Sequence, residues 1–398
     1  MQIRKYLALL GASGTLLLVY NAFHVWRTYP LIKAPQEAFI ERIAQDVAQG
    51  SSLTGGSRIE DAPAGIEKPR DTSVDRTGFF LERPLPAAFK DALEKYPVVP
   101  ISDVKVVLIV TYYRCGSSFF GELMSSTPRT FFHYEPLMLF TVSGGIRPGR
   151  QYHAFQLLDG LLRCRFEPLY TAWMESTRHY KHNQFLTEVC RGGDSCFSPA
   201  HLSALCSRAL TQVFKFTRLR VTQVQSWIHQ NPEIAESVRV VHLVRDPRAI
   251  YSSRKSIGWC MEYKHCGTPS ALCDQMTKDL DAFTELTSKL PQDRVHQIRF
   301  EDLAADPMNE TKRLFSRLGL DFAPSVSAYI EKHTMATGKE TRYPYSTLRN
   351  SKTVVDRWKR KLSTRLIKKV EDACSNVLHR LGYKPLYRSD QNAQGMTH

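Results

Sequence analysis

Hydrophobic and polar positions divide this chain into three regimes. Leu7 to Trp26 is a mostly apolar run without a formal charge, and its length, about twenty positions, is what a helix needs to cross a hydrocarbon core. From Arg27 to about Pro100 apolar residues are scattered among Gly50, Gly55, Gly56, Pro63, Gly65, Pro69, Pro84 and Pro86, which predicts a flexible stem, with a short helix over Gln36 to Gln49 as the exception. After Ser102 the pattern changes to Val104 to Val110, a largely β-branched apolar run broken only by the polar Lys105 and suited to a buried parallel strand. Similar runs recur at Gln212 to Arg218, Arg239 to Val244 and Val295 to Phe300, separated by stretches long enough for crossover helices. The alternation predicts an α/β fold with a central parallel sheet flanked by helices. Near the end, Asp306 and Pro307 supply a cap and a first-turn proline for a helix over Met308 to Leu318, which Gly319 stops. Leu362, Leu366, Val370, Ala373, Val377 and Leu381 recur at helical spacing up to Gly382 and predict a second core-facing helix.

The ends and the composition place this domain in a compartment. Arg4 and Lys5 precede the apolar run, so by the positive-inside rule the short N-terminus stays cytoplasmic, although Arg27 on the far side weakens the asymmetry. A cleaved signal peptide is the competing reading; the run is longer than a usual signal core and no small-x-small site follows it. A type II anchor puts the remainder in an oxidising lumen. Eight of the nine cysteines lie from Cys164 onward, an even set that reads as disulfides, and Asn309-Glu310-Thr311 becomes a candidate glycosylation site. There is no CxxC pair, no HExxH and no paired Cys/His spacing, so no zinc site is expected. Lys and Arg number 54 against 39 Asp and Glu, a formal +15 that favours an anionic ligand or partner over a solvated surface by no more than even weight.

Candidate chemistry lies where two of the strands end. The first leads into Tyr113-Arg114-Cys115-Gly116-Ser117-Ser118-Phe119 and then a helix-compatible run. In a strand, tight loop, helix arrangement, small residues let backbone N–H groups approach an anion and the helix N-terminus adds its dipole. Arg114 adds a full charge. The Walker pattern GxxxxGK[ST] is missing, which disfavours a metal-assisted kinase or ATPase. The second segment, Arg245-Asp246-Pro247-Arg248-Ala249-Ile250-Tyr251-Ser252-Ser253, follows the strand ending at Val244 and again opens a helix. Arg245 and Ser253 are placed to converge on one phosphate; a capped helix with structural salt bridges is the plain alternative.

Together the two segments resemble a known family. RCGSSF (Arg114 to Phe119) resembles the 5′-phosphosulfate loop, and VRDPRAIYSSR (Val244 to Arg254) the 3′-phosphate motif, of the galactose, N-acetylgalactosamine and N-acetylglucosamine 6-O-sulfotransferases, nearest to the keratan-sulfate galactose and chondroitin branches. The likeness extends through Glu135-Pro136-Leu137, Arg299 to Pro307, Thr347 to Ser351, Arg357 to Leu362 and Leu381-Gly382-Tyr383. It implies a P-loop-like sulfotransferase domain that uses 3′-phosphoadenosine-5′-phosphosulfate (PAPS) as donor, a glycan acceptor, no metal, no nucleic acid and a Golgi membrane location. The expected organisation is a cytoplasmic tail (1–6), an anchor (7–26), a stem (27–102), the sulfotransferase domain (103–388) and a tail (389–398). The resemblance also implies Glu135 as general base, with His133 the competing candidate, and Arg114 as the stabiliser of charge on the transferring group. Lys215 and Arg218, on one predicted strand, are candidates for holding sulfate or acidic acceptor groups. Cys115 departs from the serine usual at its place and is a candidate reactive thiol in a cationic loop. Two other functions share parts of this pattern. A luminal glycosyltransferase fits the anchor and the Asp279-Leu280-Asp281 triplet, although that triplet lies in a helix-like run; a tethered glycan-binding module fits the basic charge but leaves both phosphate segments unexplained.

Overall fold

The computed structural model describes residues 85–141, 144–190, 194–338, 343 and 345–387. The anchor run, the Gln36 to Gln49 helix, most of the stem and the C-terminal tail lie outside the described residues. Among the described residues no helix is long and apolar enough to cross a membrane.

Five parallel strands form the centre: β1 (Lys105–Val110), β2 (Thr130–Tyr134), β3 (Thr211–Phe216), β4 (Val238–Val244) and β5 (Val295–Arg299), in the order β2-β3-β1-β4-β5. β1 is central, with Val107 opposite Val213 on one side and Leu108 opposite Val240 on the other. Its side chains feed two cores: Val106, Leu108 and Val110 face one layer of helices, Val107 and Ile109 the other. That two-sided burial explains why the strands read as continuous apolar runs.

The first layer includes α1 (Ala87–Lys95), α3 (Pro148–Leu162) and α4 (Val221–Gln230). Phe89 of α1 is fully buried there, so the last part of the segment expected as stem is packed onto the domain. The second layer contains α2 (Ser117–Met124), α5 (Pro247–Lys255), α7 (Pro307–Leu318), α8 (Pro324–Thr334) and α9 (Thr364–Ala373). The long α6 (Pro269–Lys289) reaches both cores. The predicted caps hold: the Asp306 carboxylate accepts from the Asn309 N–H, and Gly319 ends α7 at φ 64°. The single helix expected up to Gly382 is instead broken. Separate pieces run over Arg357–Lys361, Thr364–Ala373 and Ser375–Arg380, with Cys374 at the last break drawn to Cys273 of α6 by a disulfide. Three more disulfides join Cys164 to Cys206, Cys190 to Cys196 and Cys260 to Cys266, so the eight cysteines pair as expected and Cys115 is left free.

Topology places the site. The connection leaving β1 runs to β2 on one side of the sheet, and the connection leaving β4 runs to β5 on the other. Where successive connections diverge, the loops part at the carboxyl ends of the strands and leave a crevice. Both candidate phosphate segments begin there.

Candidate active site

The loop after β1 is a tight turn in which the Cys115 N–H bonds the Tyr112 carbonyl at 3.0 Å. Arg114 holds a left-handed φ of 72°, an uncommon conformation for a residue other than glycine. Gly116 caps α2 at φ 94°, and a Cβ there would come within 2.4 Å of the Phe300 ring, so only glycine lets the loop sit this close to its neighbour. The segment after β4 grips this loop. Arg254 Nε donates to the Tyr113 carbonyl at 3.1 Å, Arg245 Nη1 to the Arg114 carbonyl at 3.3 Å, and Arg114 Nε to Ser253 Oγ at 2.9 Å. Two segments 139 residues apart thus form one unit.

They border a cavity of about 1100 Å³, just above the usual range of roughly 300–1,000 Å³ for small-molecule sites. Tyr113, Arg114, Gly116, Ser117, Ser118 and Phe119 line it, as do Arg245, Ala249, Ser252 and Ser253. Arg245 lies buried over the Phe300 ring at 4.3 Å, and its Nε has no hydrogen-bond partner among the described residues. A buried guanidinium with a donor to spare on a cavity wall is able to donate a hydrogen bond to an anion.

The other members of the motifs do structural work. Asp246 caps α5 through the Arg248 N–H at 2.8 Å and pairs with the Arg248 guanidinium. Arg248 also bonds Glu371 Oε1 at 2.5 Å and covers the Trp358 ring at 4.4 Å. With Pro247, Ile250 and Tyr251, both are buried away from the cavity. Cys115 is also buried, and burial pushes its thiol up to about 12 against the pull of Arg245, so it is inert rather than reactive.

Glu135 does line the cavity, at the end of β2 and with φ 46°. Its carboxylate is fully engaged: Lys215 Nζ lies 2.9 Å from Oε1, while Oε2 takes bonds from the Thr217 hydroxyl at 2.7 Å and from Arg218. Burial alone would raise its pKa, but Lys215 and Arg218 outweigh it and hold the carboxyl well below the usual range. A carboxylate so stabilised is a weak base. His133 is weaker still as a candidate. It is sandwiched against Phe214 with ring centroids 4.1 Å apart, does not reach the cavity, and burial pushes it down to about 3. Lys215 is fully buried, its ammonium 3.5 Å above the Tyr134 ring, so it serves Glu135 rather than meeting an acceptor, whereas Arg218 reaches the cavity wall.

Sequence reasoning missed several wall residues. His179, His182 and His333 carry no motif; Arg349 and Arg357 lie in segments whose likeness was noted without a role; Trp259 sits by the Cys260–Cys266 loop. Arg349 is lowered to about 10 by burial and by the neighbouring charges of Arg357 and Arg114, which marks this part of the cavity as strongly positive. The acidic triplet behaves differently: Asp279 is buried in an ion pair with Arg220 at 2.8 Å and does not face the cavity.

The model of the sulfotransferase family matches residues 107–324, from within β1 to the start of α8. The chain belongs to the sulfotransferase family. Human carbohydrate sulfotransferase 5 is 27% identical to this sulfotransferase over 72% of this chain and 79% of that protein. Human carbohydrate sulfotransferase 6 is 26% identical over 72% and 82%. Among solved structures, mouse sulfotransferase SULT7A1 complexed with PAP aligns over 73% of this chain and 88% of its own, at 11% identity and a TM-score of 0.37. Both candidate phosphate loops of this sulfotransferase lie inside the matched region, while Arg349 and Arg357 lie beyond it.

Proposed function

We propose that this enzyme transfers the sulfuryl group of PAPS to a hydroxyl of a glycan, the 6-hydroxyl of galactose, N-acetylgalactosamine or N-acetylglucosamine in a glycosaminoglycan or glycoprotein. The observation that carries the reading is the junction of two cationic strand–helix loops on one cavity, joined by the bond from Arg114 to Ser253. PAPS carries charge at two ends, and the residues fit both. The phosphosulfate suits Arg114, the N–H groups opening α2, and Ser117 and Ser118; the 3′-phosphate suits Arg245, with its unmatched Nε, and Ser253. The remaining volume and the aromatic faces of Trp259 and Tyr263 suit a sugar. The names of the curated relatives support a carbohydrate acceptor.

Sulfuryl transfer makes a bond from the acceptor oxygen to sulfur and breaks the bond from sulfur to the phosphate oxygen, so negative charge grows on the departing nucleotide. In this reading Arg114 and the loop N–H groups, which line the cavity, are the donors that stabilise such charge. Glu135 holds Lys215 and Arg218 beside this loop, with Lys215 Nζ 3.4 Å from Ser118 Oγ. The enzyme is proposed to work in the Golgi lumen, anchored by residues 7–26, with Asn309, exposed in the first turn of α7, open to glycosylation.

Calorimetric titration with 3′-phosphoadenosine 5′-phosphate (PAP), beside a panel of sugar nucleotides, tests the donor. Saturable binding of PAP alone is expected. Preference for a sugar nucleotide would replace this reading by the glycosyltransferase one, and binding of neither by a lectin. Radiolabelled transfer to desulfated keratan and chondroitin then identifies the acceptor.

A further inference from the structure

Three histidines border the cavity, and their surroundings separate them. His179 is half-buried in the cavity wall, its enclosed Nδ1 has no hydrogen-bond partner among the described residues, and loss of solvent pushes it down to about 3. His333 has its Nδ1 3.0 Å from the Thr347 hydroxyl, a neutral partner. His182 has its Nδ1 2.6 Å from Glu122 Oε1. The Tyr329 hydroxyl bonds the other oxygen of that carboxylate at 2.7 Å. Burial pushes Glu122 up, but its bonds from His182 and Tyr329 win and keep it below the usual range, an anion aimed at the ring. A carboxylate on Nδ1 takes that nitrogen's proton in a hydrogen bond and leaves the basic lone pair on Nε2. The His182 ring also stacks on Tyr134, centroids 3.7 Å apart, and the Tyr134 hydroxyl lies 2.9 Å from Ser118 Oγ in the anion loop. One aromatic ring therefore separates this imidazole from the loop offered to the phosphosulfate.

The geometry points to His182 as the general base of the proposed transfer, with Glu122 as the positioning residue that orients it. The inference rests on the sulfotransferase reading and assigns the proton that Glu135 is too stabilised to accept. As the acceptor hydroxyl oxygen bonds to sulfur, its proton passes to His182 Nε2, the bond from sulfur to the bridging oxygen breaks, and PAP leaves with that electron pair. The imidazolium is balanced by Glu122 and later releases its proton to water. A carboxylate that fixes the tautomer and orientation of a histidine is the arrangement by which triads tune a base. The titratable and charged groups around the ring are Glu122 on α2, Tyr134 on β2 with Lys215 beyond it, Tyr329 and His333 on α8, and His179 one turn before.

The test is single-turnover sulfation by the full chain across pH, with PAP affinity measured in parallel. Wild type should lose rate on the acid side as the base is protonated. His182→Gln should lower the rate roughly 10²–10⁴-fold, flatten the acid side, and leave PAP affinity within twofold. Glu122→Gln should lower the rate while leaving PAP affinity within twofold, because the ring loses the carboxylate that orients it. Free imidazole should restore part of the rate to His182→Ala, a rescue that a purely structural role does not give. Should His182→Gln fold poorly, that rescue decides. Full turnover in His182→Gln, or no rescue of a folded His182→Ala, overturns the base while the sulfotransferase reading stands. Failure of wild type to bind PAP overturns both.

Discussion

At the level of single residues, side chains a few positions apart in the same motif have opposite fates, and burial decides them. Arg245 and Arg248 both follow β4, yet Arg248 has two carboxylates and an indole while Arg245 keeps a buried donor unmatched. Arg245→Ala and Ser253→Ala should each weaken PAP binding by about 1.5–3 kcal/mol for the charged hydrogen bonds lost, roughly ten- to hundredfold in Kd. Calorimetry on the folded variants reads this directly, and affinity unchanged in the double variant would remove both from the donor site. Arg114→Ala should lower affinity and turnover together, since the same guanidinium meets ground-state and transition-state charge. The Cys115 thiol, buried and held near 12, should resist alkylation in the native protein and react only on unfolding, which a mass-resolved labelling time course would show.

At the level of elements, the loops were legible because a strand's apolar run ends where the small residues begin, and both ends belong to one stretch of sequence. The four β-branched strands and α7 with its caps were legible for the same reason. β2 was not: its aromatic run is short, and only pairing with β3, Phe132 beside Val213, makes it a strand. Equally hidden was the ion pair that β2 and β3 build, because Glu135 and Lys215 are 80 positions apart and look like an exposed base and a surface lysine until the sheet brings them together. The histidine wall, contributed by the short turn His179–His182 and the end of α8, has no local pattern at all. Glu135→Gln should destabilise the domain by about 3–5 kcal/mol, since it removes the carboxylate that balances the buried Lys215 ammonium and pairs with Arg218. Adding Lys215→Met should recover part of that loss. A denaturant midpoint for Glu135→Gln equal to wild type would mean the three groups are not coupled in the fold.

At the level of the whole molecule, histidines shielded from solvent tie stability to pH. His133 and His242 are buried and His179 is half-buried in the cavity wall, and loss of solvent pushes them down to about 3, about 4 and about 3 respectively. In the unfolded chain each returns to about 6.5. Between these values the unfolded state binds protons that the native state refuses, so stability falls as pH falls. The contribution is complete above about pH 6.5 and lost progressively down to pH 3–4, with a slope of up to about 4 kcal/mol per pH unit if all three act together, at roughly 1.4 kcal/mol for each proton. Glu135 works in the same direction lower down. Its folded pKa is depressed, so its stabilisation is present above the unfolded value of about 4.3 and disappears as pH falls below it. Acid should therefore act in two stages, histidines first and the Glu135 cluster afterwards. His133→Phe, which keeps the stack on Phe214 without a titrating group, should flatten the first stage by about a third while leaving the second unchanged. Urea midpoints for wild type and His133→Phe between pH 7.5 and pH 5 test this. A wild-type midpoint that does not move over that range would show that these rings take up protons in the native state, and the linkage would fail.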